Sequence, residues 1–517
     1  MSARPARGKR SRHAMRALHA HGLVGAFVAT AFAVPVHAEW RILPFATLTE
    51  TRSDNVALVP DESRRSGWIT DVAPGVRVQS SGAVVKGYLE YSRHELFYSS
   101  DSRLNSGENF LASRFTVEPL KDRLFLDARA NITQESRSPF GAVSAPGEAT
   151  ASANRVETTT LQVSPILRGS LGDFANYQLR LSASEVRTND ETLPDTRSTE
   201  WGGRVGSASA GSWVNWSVEG TALSARNDVI GRLDDSRLRA RLIASVLPQL
   251  RLWVGEGFDR TDFAGPSRRS DTPGAGLVWL PSERTQVSGL YERRFFGDGY
   301  SASLTHRTAR SAWRLVGVKD ASLLPGLTGS FGRLSLADLM ADMMTTAVPD
   351  PAARAEQARQ RLSESGLPAS TALSSSLLSA RPVVFRHLEA SVLFQGATNT
   401  ATFSYSGNRE SEFGVGLGGG AQPAGVNDAS RRGASASWAH RFTPLTTATF
   451  TYTRVRTEGL AAAAPDTRQS TASAIVNMRL GPRTGAAFGL RRTVFDTTTP
   501  TGSYREAAVF ATLSYHP

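Results

Sequence analysis

The residues able to do chemistry are few and scattered. The chain carries nine histidines and no cysteine, so thiolate nucleophiles, disulfides and cysteine-metal sites are excluded together. His13, His19, His21 and His37 fall in the first 38 residues. The other five, His94, His306, His387, His440 and His516, are too far apart in sequence to make a metal pair at strand or helix spacing. Ser92 and His94 would share one strand face and supply two parts of a hydrolase. In a chain this rich in serine, chance adjacency is by far the better explanation of that pair. Gly414-Val415-Gly416-Leu417-Gly418-Gly419 matches G-x-G-x-x-G. Dinucleotide binding, however, needs this turn between a buried parallel strand and a helix, and here it lies in a glycine-rich stretch before Pro423 with no βαβ unit. No catalytic residue, metal or cofactor is assigned, and the chain reads as a non-enzyme.

What remains is arginine. Only Lys9, Lys86, Lys121 and Lys319 among the 59 basic residues are lysines. Such a bias follows from genome composition, and guanidinium groups also suit sites that hold anions. Which of these arginines act together depends on the elements that carry them.

The N-terminus is a leader. Arg4, Arg7, Lys9, Arg10, Arg12 and Arg16 come without an acid and precede the apolar run Leu23 to Val36. That run is too short to cross a hydrocarbon core of ~30 Å as a helix, and Val36-His37-Ala38 fits the small-x-small cleavage rule. The alternative, an N-terminal membrane anchor, is opposed by Pro35 within the run. Residues 1 to 38 are therefore expected to be a signal peptide cleaved after Ala38, with 39 to 517 the mature chain. Losing six basic residues leaves 53 basic against 47 acidic, a net of +6 instead of +12, and no nucleic-acid partner is expected.

Beyond the leader no run of 18 apolar residues occurs, so helical spans are excluded. Alternation at period two appears instead. Leu124, Leu126, Ala128, Ala130 and Ile132 form one such set; Leu238, Ala240, Leu242, Ala244 and Val246 another; Tyr177, Leu179, Leu181 and Ala183, then Ala448, Phe450 and Tyr452, then Val509, Ala511, Leu513 and Tyr515 repeat it. Soluble sandwiches also alternate. The connections distinguish the two. Short turns at 80–82, 119–122, 209–211, 247–249, 281–283, 308–310, 443–445 and 481–483 alternate with longer polar loops at 96–108, 133–153, 186–197, 224–235, 260–271, 409–429 and 457–468, with one short exception near Gly297 to Gly299. Strict parity of this kind belongs to a closed barrel that crosses one bilayer, with short turns on the periplasmic side and long loops outside.

The fold class is thus all-β, a closed antiparallel transmembrane β-barrel of about 22 strands, within a range of about 18 to 26, both termini being periplasmic. Trp68, Trp201, Trp213, Trp216, Trp253, Trp279, Trp313 and Trp438 are expected near strand ends as interfacial girdles. The last aromatic, Tyr515, stands two residues before the C-terminus. One segment, 320 to 382, breaks the pattern. Ser335-x-x-Asp338 predicts a capped helix running to Met344, and Asp350-Pro351 predicts a second one continuing to Glu364 before Gly366. Ala355, Ala358 and Leu362 make its apolar stripe, and Met340, Met343 and Met344 read as packing residues. Parity makes this a partly helical extracellular insertion that caps the mouth, folds into the lumen or stays a mobile loop.

Ser53-Asp54-Asn55-Val56, Val72-Ala73-Pro74-Gly75-Val76, Ser164-Pro165, Trp279-Leu280-Pro281, Arg294-Phe295-Phe296-Gly297 and His306-Arg307-Thr308 occur in an order, and with a long insertion before Pro382, that resembles the uncharacterised outer-membrane proteins associated with the PEP-CTERM/exosortase system of polysaccharide-secreting bacteria. The resemblance spans nearly the whole mature chain. It implies a Gram-negative outer-membrane location, a barrel, and an association with exopolysaccharide and exosortase loci, and it supplies no binding or catalytic residues. Partners on this reading are outer-membrane lipid and lipopolysaccharide, the barrel assembly machinery, and an anionic exopolysaccharide or PEP-CTERM export components.

If the apolar sets face lipid, Arg123, Arg129, Arg180, Arg237, Arg239, Arg241 and Arg491 line the lumen, where charge sets selectivity. Either they make the lumen prefer anions, or Asp127, Glu219, Glu292 and similar acids neutralise them in ion pairs. Three functions stay open: a conduit or outer-membrane station for exopolysaccharide or PEP-CTERM protein export; a structural barrel anchoring surface polymer without a through-pore; and a porin.

Overall fold

The computed structural model describes residues 40–516 apart from 142–153, 191–192, 194, 209–211, 228–230, 263–266, 323–335, 346, 349–350, 365–366, 368–381, 413–427, 462–463 and 500–501. The leader, the turn at 209–211, the glycine-rich 414–419 and the helix caps Ser335 and Asp350 lie outside the described residues.

Twenty-three strand segments make one sheet. Two of them, Arg268–Asp271 and Gly274–Ser282, are halves of one strand, because both pair with Leu250–Thr261 in a single register, Phe258 opposite Asp271 and Gly255 opposite Gly274. The ladder breaks at Pro273, which has no N–H to give, while Thr272 N still donates to Gly257 O at 2.9 Å. The barrel therefore has 22 strands, as expected. It closes where Trp40–Ser53 pairs antiparallel with Gly67–Ser81 on one side and with the last strand, Tyr504–Tyr515, on the other. Closure leaves no sheet edge, which hydrocarbon would not tolerate.

The period-two sets face outward. Leu242, Val254 and Leu490 are 60%, 61% and 59% exposed although they sit mid-strand, and Leu179, Phe450, Val509 and Leu513 are likewise open on the exterior. Exposed apolar side chains in the middle of paired strands are what a lipid-facing surface requires. Trp68, Trp201, Trp279, Trp313 and Trp438 share this face, as does Trp216, which packs against Phe174 at 5.5 Å between ring centroids, whereas Trp213 stands exposed in the turn before Val214, outside the strand. Trp253 does not. Its ladder partner is Ile243, on the same face as Arg241, and the Arg241 guanidinium lies 4.6 Å from its ring centroid inside the barrel. Position near a strand end places a residue at a given depth, but strand parity selects its face, and Trp253 falls on the odd side.

Short connections alternate with long ones as parity demands. The structure adds two short turns that the sequence does not mark with proline or paired polar residues, at 172–174 and 396–398. Gly172 adopts φ +55° in the first, a conformation that favours glycine. Two connections on the long-loop end are short: one joins Arg294 to Gly297, which adopts φ +96°, and the other joins Asn227 to Gly231, where the expected long loop 224–235 is instead largely paired strand.

The barrel seam is clasped by Ser53-Asp54-Asn55-Val56. Ser53 Oγ donates to Glu506 Oε1 at 3.0 Å, and Glu506 receives Arg491 Nε at 3.1 Å and Nη2 at 2.8 Å. Asn55 Nδ2 donates to Arg505 O and Val59 O, while Asp54 N donates to Ala507 O and its Oδ1 accepts from Ala507 N. Val56 is buried with Ile69, Leu96 and Tyr98. First loop, last strand and penultimate strand are thereby joined at the long-loop end. Glu506→Ala leaves Arg491 buried without this partner, a loss of about 3–5 kcal/mol. On semi-native gels the folded band of that variant is expected to vanish at a lower temperature than in wild type, whereas the lipid-facing Leu48→Ala keeps the wild-type temperature. An unshifted Glu506→Ala transition would show that the clasp does not hold the seam.

Candidate functional site

Arg129, Arg180, Arg237, Arg239, Arg241 and Arg491 all lie on the luminal parity of their strands, but they do not form one cluster. Arg237, Arg239 and Arg241 lie on Gly231–Leu247 and enter an ion-pair lattice spanning neighbouring strands. Arg239 Nη2 sits 2.9 Å from Glu292 and 3.5 Å from Asp259, Arg241 reaches Glu219 at 2.9 Å and Glu292 at 3.3 Å, and Arg237 Nε lies 2.8 Å from Asp235. Arg294, noted in the sequence only as part of the Arg294–Gly297 stretch and not as a luminal residue, completes the lattice by joining Asp259 at 2.7 Å to Asp320. The guanidinium stems lie flat because the facing strands present glycine. A Cβ on Gly257 would stand 3.0 Å from Arg239 Cγ, and one on Gly274 would stand 2.8 Å from Glu292 Cγ. Arg491 is taken by the seam.

Arg180 and Arg129 differ from these. Arg180 Nη2 donates to Ser164 Oγ at 3.3 Å. Arg129 is exposed to the lumen opposite Arg114, which in turn lies opposite Tyr88, and it has no ion pair among the described residues. Arg123 lies in the short turn before Leu124 rather than in the wall itself, so it lines the mouth.

The insertion leaves the wall after Ser322 and rejoins it at Val383, both at the long-loop end as expected. Its two helices nevertheless lie at the opposite end, inside the barrel. α1 (Leu336–Met343) and α2 (Pro351–Glu364) pack against each other and against Ala312, Leu393 and Ala439. Those three wall residues alternate with the outward-facing Trp313, Phe394 and Trp438, and each stands close to a short turn. Leu336, Leu339, Met340, Met344, Ala358, Leu362 and Leu367 are buried in this contact, and Ala355 is half-buried beside them. The correction to an outside cap has a plain cause. The stripe must be buried, at roughly 1.5–3 kcal/mol for each large apolar side chain, and Ala312, Leu393 and Ala439 of the inner wall supply the apolar partner. The methionines act as packing residues. Polar contacts fix the pair: Arg307 Nη1 donates to Asp342 O, and the Arg359 guanidinium lies 5.2 Å over Tyr88 on the far wall.

Among the residues that line the cavities around these helices, arginines outnumber acids. The cavity of about 1340 Å³ between α2 and the seam wall is lined by Arg77, Arg359, Arg361, Arg441, Arg479 and Arg483 with Glu90 as its one acid. A second, of about 790 Å³, has Arg284, Arg307, Arg314 and Arg354 against Glu283 and Asp342, and a third, of about 1000 Å³, has Arg123, Arg168, Arg204 and Arg251 against Asp122. The long-loop half holds paired charges and the short-turn half an excess of arginine. Apart from Arg123, sequence reasoning missed these arginines, although many of them stand within two or three positions of a short turn, which would have gathered them at one end.

Ser92 and His94 share the luminal face, but His94 Nδ1 is engaged by Asp71 at 3.0 Å and its ring stands edge-on to Phe110. No hydrogen bond joins Ser92 to His94 among the described residues, nor do three histidine or acidic groups there converge as a metal site would need.

The fold is that of a transmembrane β-barrel with two helices docked on its inner wall. No family model and no curated protein matches the sequence. Solved structures similar to it are the siderophore receptor PirA from Pseudomonas aeruginosa (8% identity, 92% of this chain and 80% of that one, TM-score 0.45), the FrpB iron transporter from Neisseria meningitidis (12% identity, 92% and 82%, TM-score 0.47) and OprD of Pseudomonas aeruginosa (10% identity, 94% and 98%, TM-score 0.34). Nothing about this chain's cargo follows from them.

Burial pushes the Asp342 carboxyl of α1 above the usual carboxylate range, nearby Asp338 adding to the rise and Arg314, Arg354 and Arg307 opposing it. An acid whose folded pKa is raised favours the docked helix when protonated, and that contribution is lost as pH rises through the raised pKa. Amide protection of residues 336–343, corrected for intrinsic exchange, is expected to fall as pH rises above the ordinary carboxylate pKa of about 4, and Asp342→Asn should flatten the profile. Equal slopes in the two proteins would remove Asp342 as the cause.

Proposed function

We propose that this chain is a gated conduit in the outer membrane of a Gram-negative bacterium, with α1 and α2 as its gate and anionic solutes as its cargo. The observation that carries the reading is the helix pair docked on the inner wall at the short-turn mouth, amid the arginine excess. A mouth with an excess of fixed cations raises the local concentration of anions and repels cations. The gate is covalently part of the barrel, so release costs only the contact with Ala312, Leu393 and Ala439 and the polar bonds around it. On this reading the leader is cleaved after Ala38, the assembly machinery inserts the barrel among lipid and lipopolysaccharide, and the protein performs no catalysis.

The sequence resemblance narrows the cargo further, to acidic exopolysaccharide or to components exported with the PEP-CTERM system. A second reading, a structural barrel that anchors surface polymer without conducting, is favoured by the same plug, since helices across the mouth restrict the lumen.

Planar-bilayer recordings separate these readings. Deleting residues 336–364 is expected to raise single-channel conductance well above wild type, with reversal potentials in a salt gradient indicating anion preference. A cation preference sinks the anionic cargo, and an unchanged, closed lumen after deletion sinks the gate. In the cell, deleting the gene should lower surface polysaccharide or alter retention of PEP-CTERM proteins in the envelope. If both are unchanged, the export assignment fails.

A further inference from the structure

On the outer face of six neighbouring strands, basic residues stand in two rows at the long-loop end. Lys319, Arg386 and Arg409 lie on Ser311–Ser322, Val383–Gln395 and Asn399–Glu412, with Arg386 directly opposite both Lys319 and Arg409. Arg432, Arg456 and Arg468 lie on the next strands, Ala429–Thr443, Thr446–Gly459 and Thr467–Arg479, with Arg456 directly opposite both Arg432 and Arg468. Arg432 faces Gly407, so the two rows are offset by about 7 Å and together cover roughly 24 Å of wall. The five arginines are exposed and alternate with inward-facing neighbours such as the buried Arg431. Like charges directly opposite on one face of a sheet are destabilising, and here four such oppositions follow one another. Acids attend the rows without separating the cations: Glu458 lies 3.0 Å from Arg456, Asp496 stands opposite Arg468, and Asp428 just precedes Ala429. Depth is set by the same faces. Along Asn399–Glu412 the exterior runs Phe403, Tyr405, Gly407, Arg409, and along Thr446–Gly459 it runs Phe450, Tyr452, Arg454, Arg456. Tyrosines above an apolar band mark the boundary between hydrocarbon and headgroups.

We infer that these rows dock an outer-leaflet lipid whose headgroup bears two phosphates, one phosphate held by each row while the acyl chains lie on the apolar band beneath. Guanidinium forks take phosphate oxygens in paired, charge-assisted hydrogen bonds. An anion set between two opposed cations also replaces their repulsion with attraction to a common partner. A soluble anion satisfies the basic residues alone. A lipid satisfies them and also covers the exposed Leu388, Phe403 and Phe450 on the same faces. The surface lies outside the barrel, so it stands whether or not the lumen conducts, and its test reads lipid binding instead of flux.

Native mass spectrometry of the full-length folded barrel in a neutral detergent reads the binding of added diphosphoryl lipid A and phosphatidylglycerol, with tripolyphosphate and trigalacturonate as soluble anions. Lipid A is expected to bind about tenfold or more tighter than any of the other three. Lys319→Gln/Arg386→Gln/Arg409→Gln and, separately, Arg432→Gln/Arg456→Gln/Arg468→Gln should each weaken lipid A binding by about tenfold or more, the loss of one charge-assisted contact or more. Arg103→Gln/Arg197→Gln/Arg232→Gln removes the same charge from exposed, ion-paired positions at the same end of the barrel and should bind lipid A as wild type does. On semi-native gels without added lipid, both row variants should unfold at or above the wild-type temperature, because removing opposed like charges relieves the sheet. The inference is overturned if lipid A binds no tighter than phosphatidylglycerol or the soluble anions, if either row variant binds it as wild type does, or if the control triple loses as much. A row variant that unfolds well below wild type without lipid also overturns it, since the rows would then serve the fold itself.

Discussion

Everything in this protein depends on the pairing of its first strand with its last. In hydrocarbon an unpaired N–H or C=O costs several kcal/mol, and a sheet of this size has two edges until it closes. The pairing from Ala46 opposite Tyr515 to Ser53 opposite Ala508 removes both edges. Side chains reinforce it where the backbone ladder ends. Ser53, Asp54 and Asn55 bond to the last strand while Arg491 holds Glu506 from the strand before it, so a motif conspicuous in the sequence proves to be a structural clasp.

Closure creates an interior, and parity divides the side chains between lipid and lumen. On the lipid side the solution is uniform: apolar residues, with tryptophans near the strand ends. The luminal side has to place charge, and it does so differently at its two ends. Toward the long loops, guanidinium and carboxylate groups from neighbouring strands interlock, with glycines at Gly257 and Gly274 making room for the stems. Breaking such a buried lattice one partner at a time is costly, and its worth lies as much in fixing strand register as in stability. Toward the short turns the arginines outnumber the acids, and the wall is open to solvent.

The insertion links these two halves. It starts and ends beside the lattice and delivers its helices to the basic end, where small wall residues leave space for an apolar stripe. The contact is made of leucines, methionines and alanines that are almost wholly buried, Met340, Leu362 and Leu393 among them. The arginine-rich cavities and the docked helices therefore occupy the same place, and this coincidence makes that end of the lumen the candidate site.

The amino-acid sequence by itself determined the barrel, its 22 strands, the alternation of short turns and long loops, and both helices of the insertion, with the starts at Leu336 and Pro351 falling where capping residues predict. These follow from local chemistry: period-two patterning, turn residues and helix caps act over a few positions. Only the tertiary structure decided which arginines work together, that Trp253 faces inward beside Arg241, that Ser53 to Val56 clasp the seam, and that the helices lie at the far end of the lumen. Arg239 and Glu292, or Arg359 and Arg479, are far apart in sequence. What joins them is the curvature of the closed sheet and the course of a loop through its interior, and neither is encoded in any single segment.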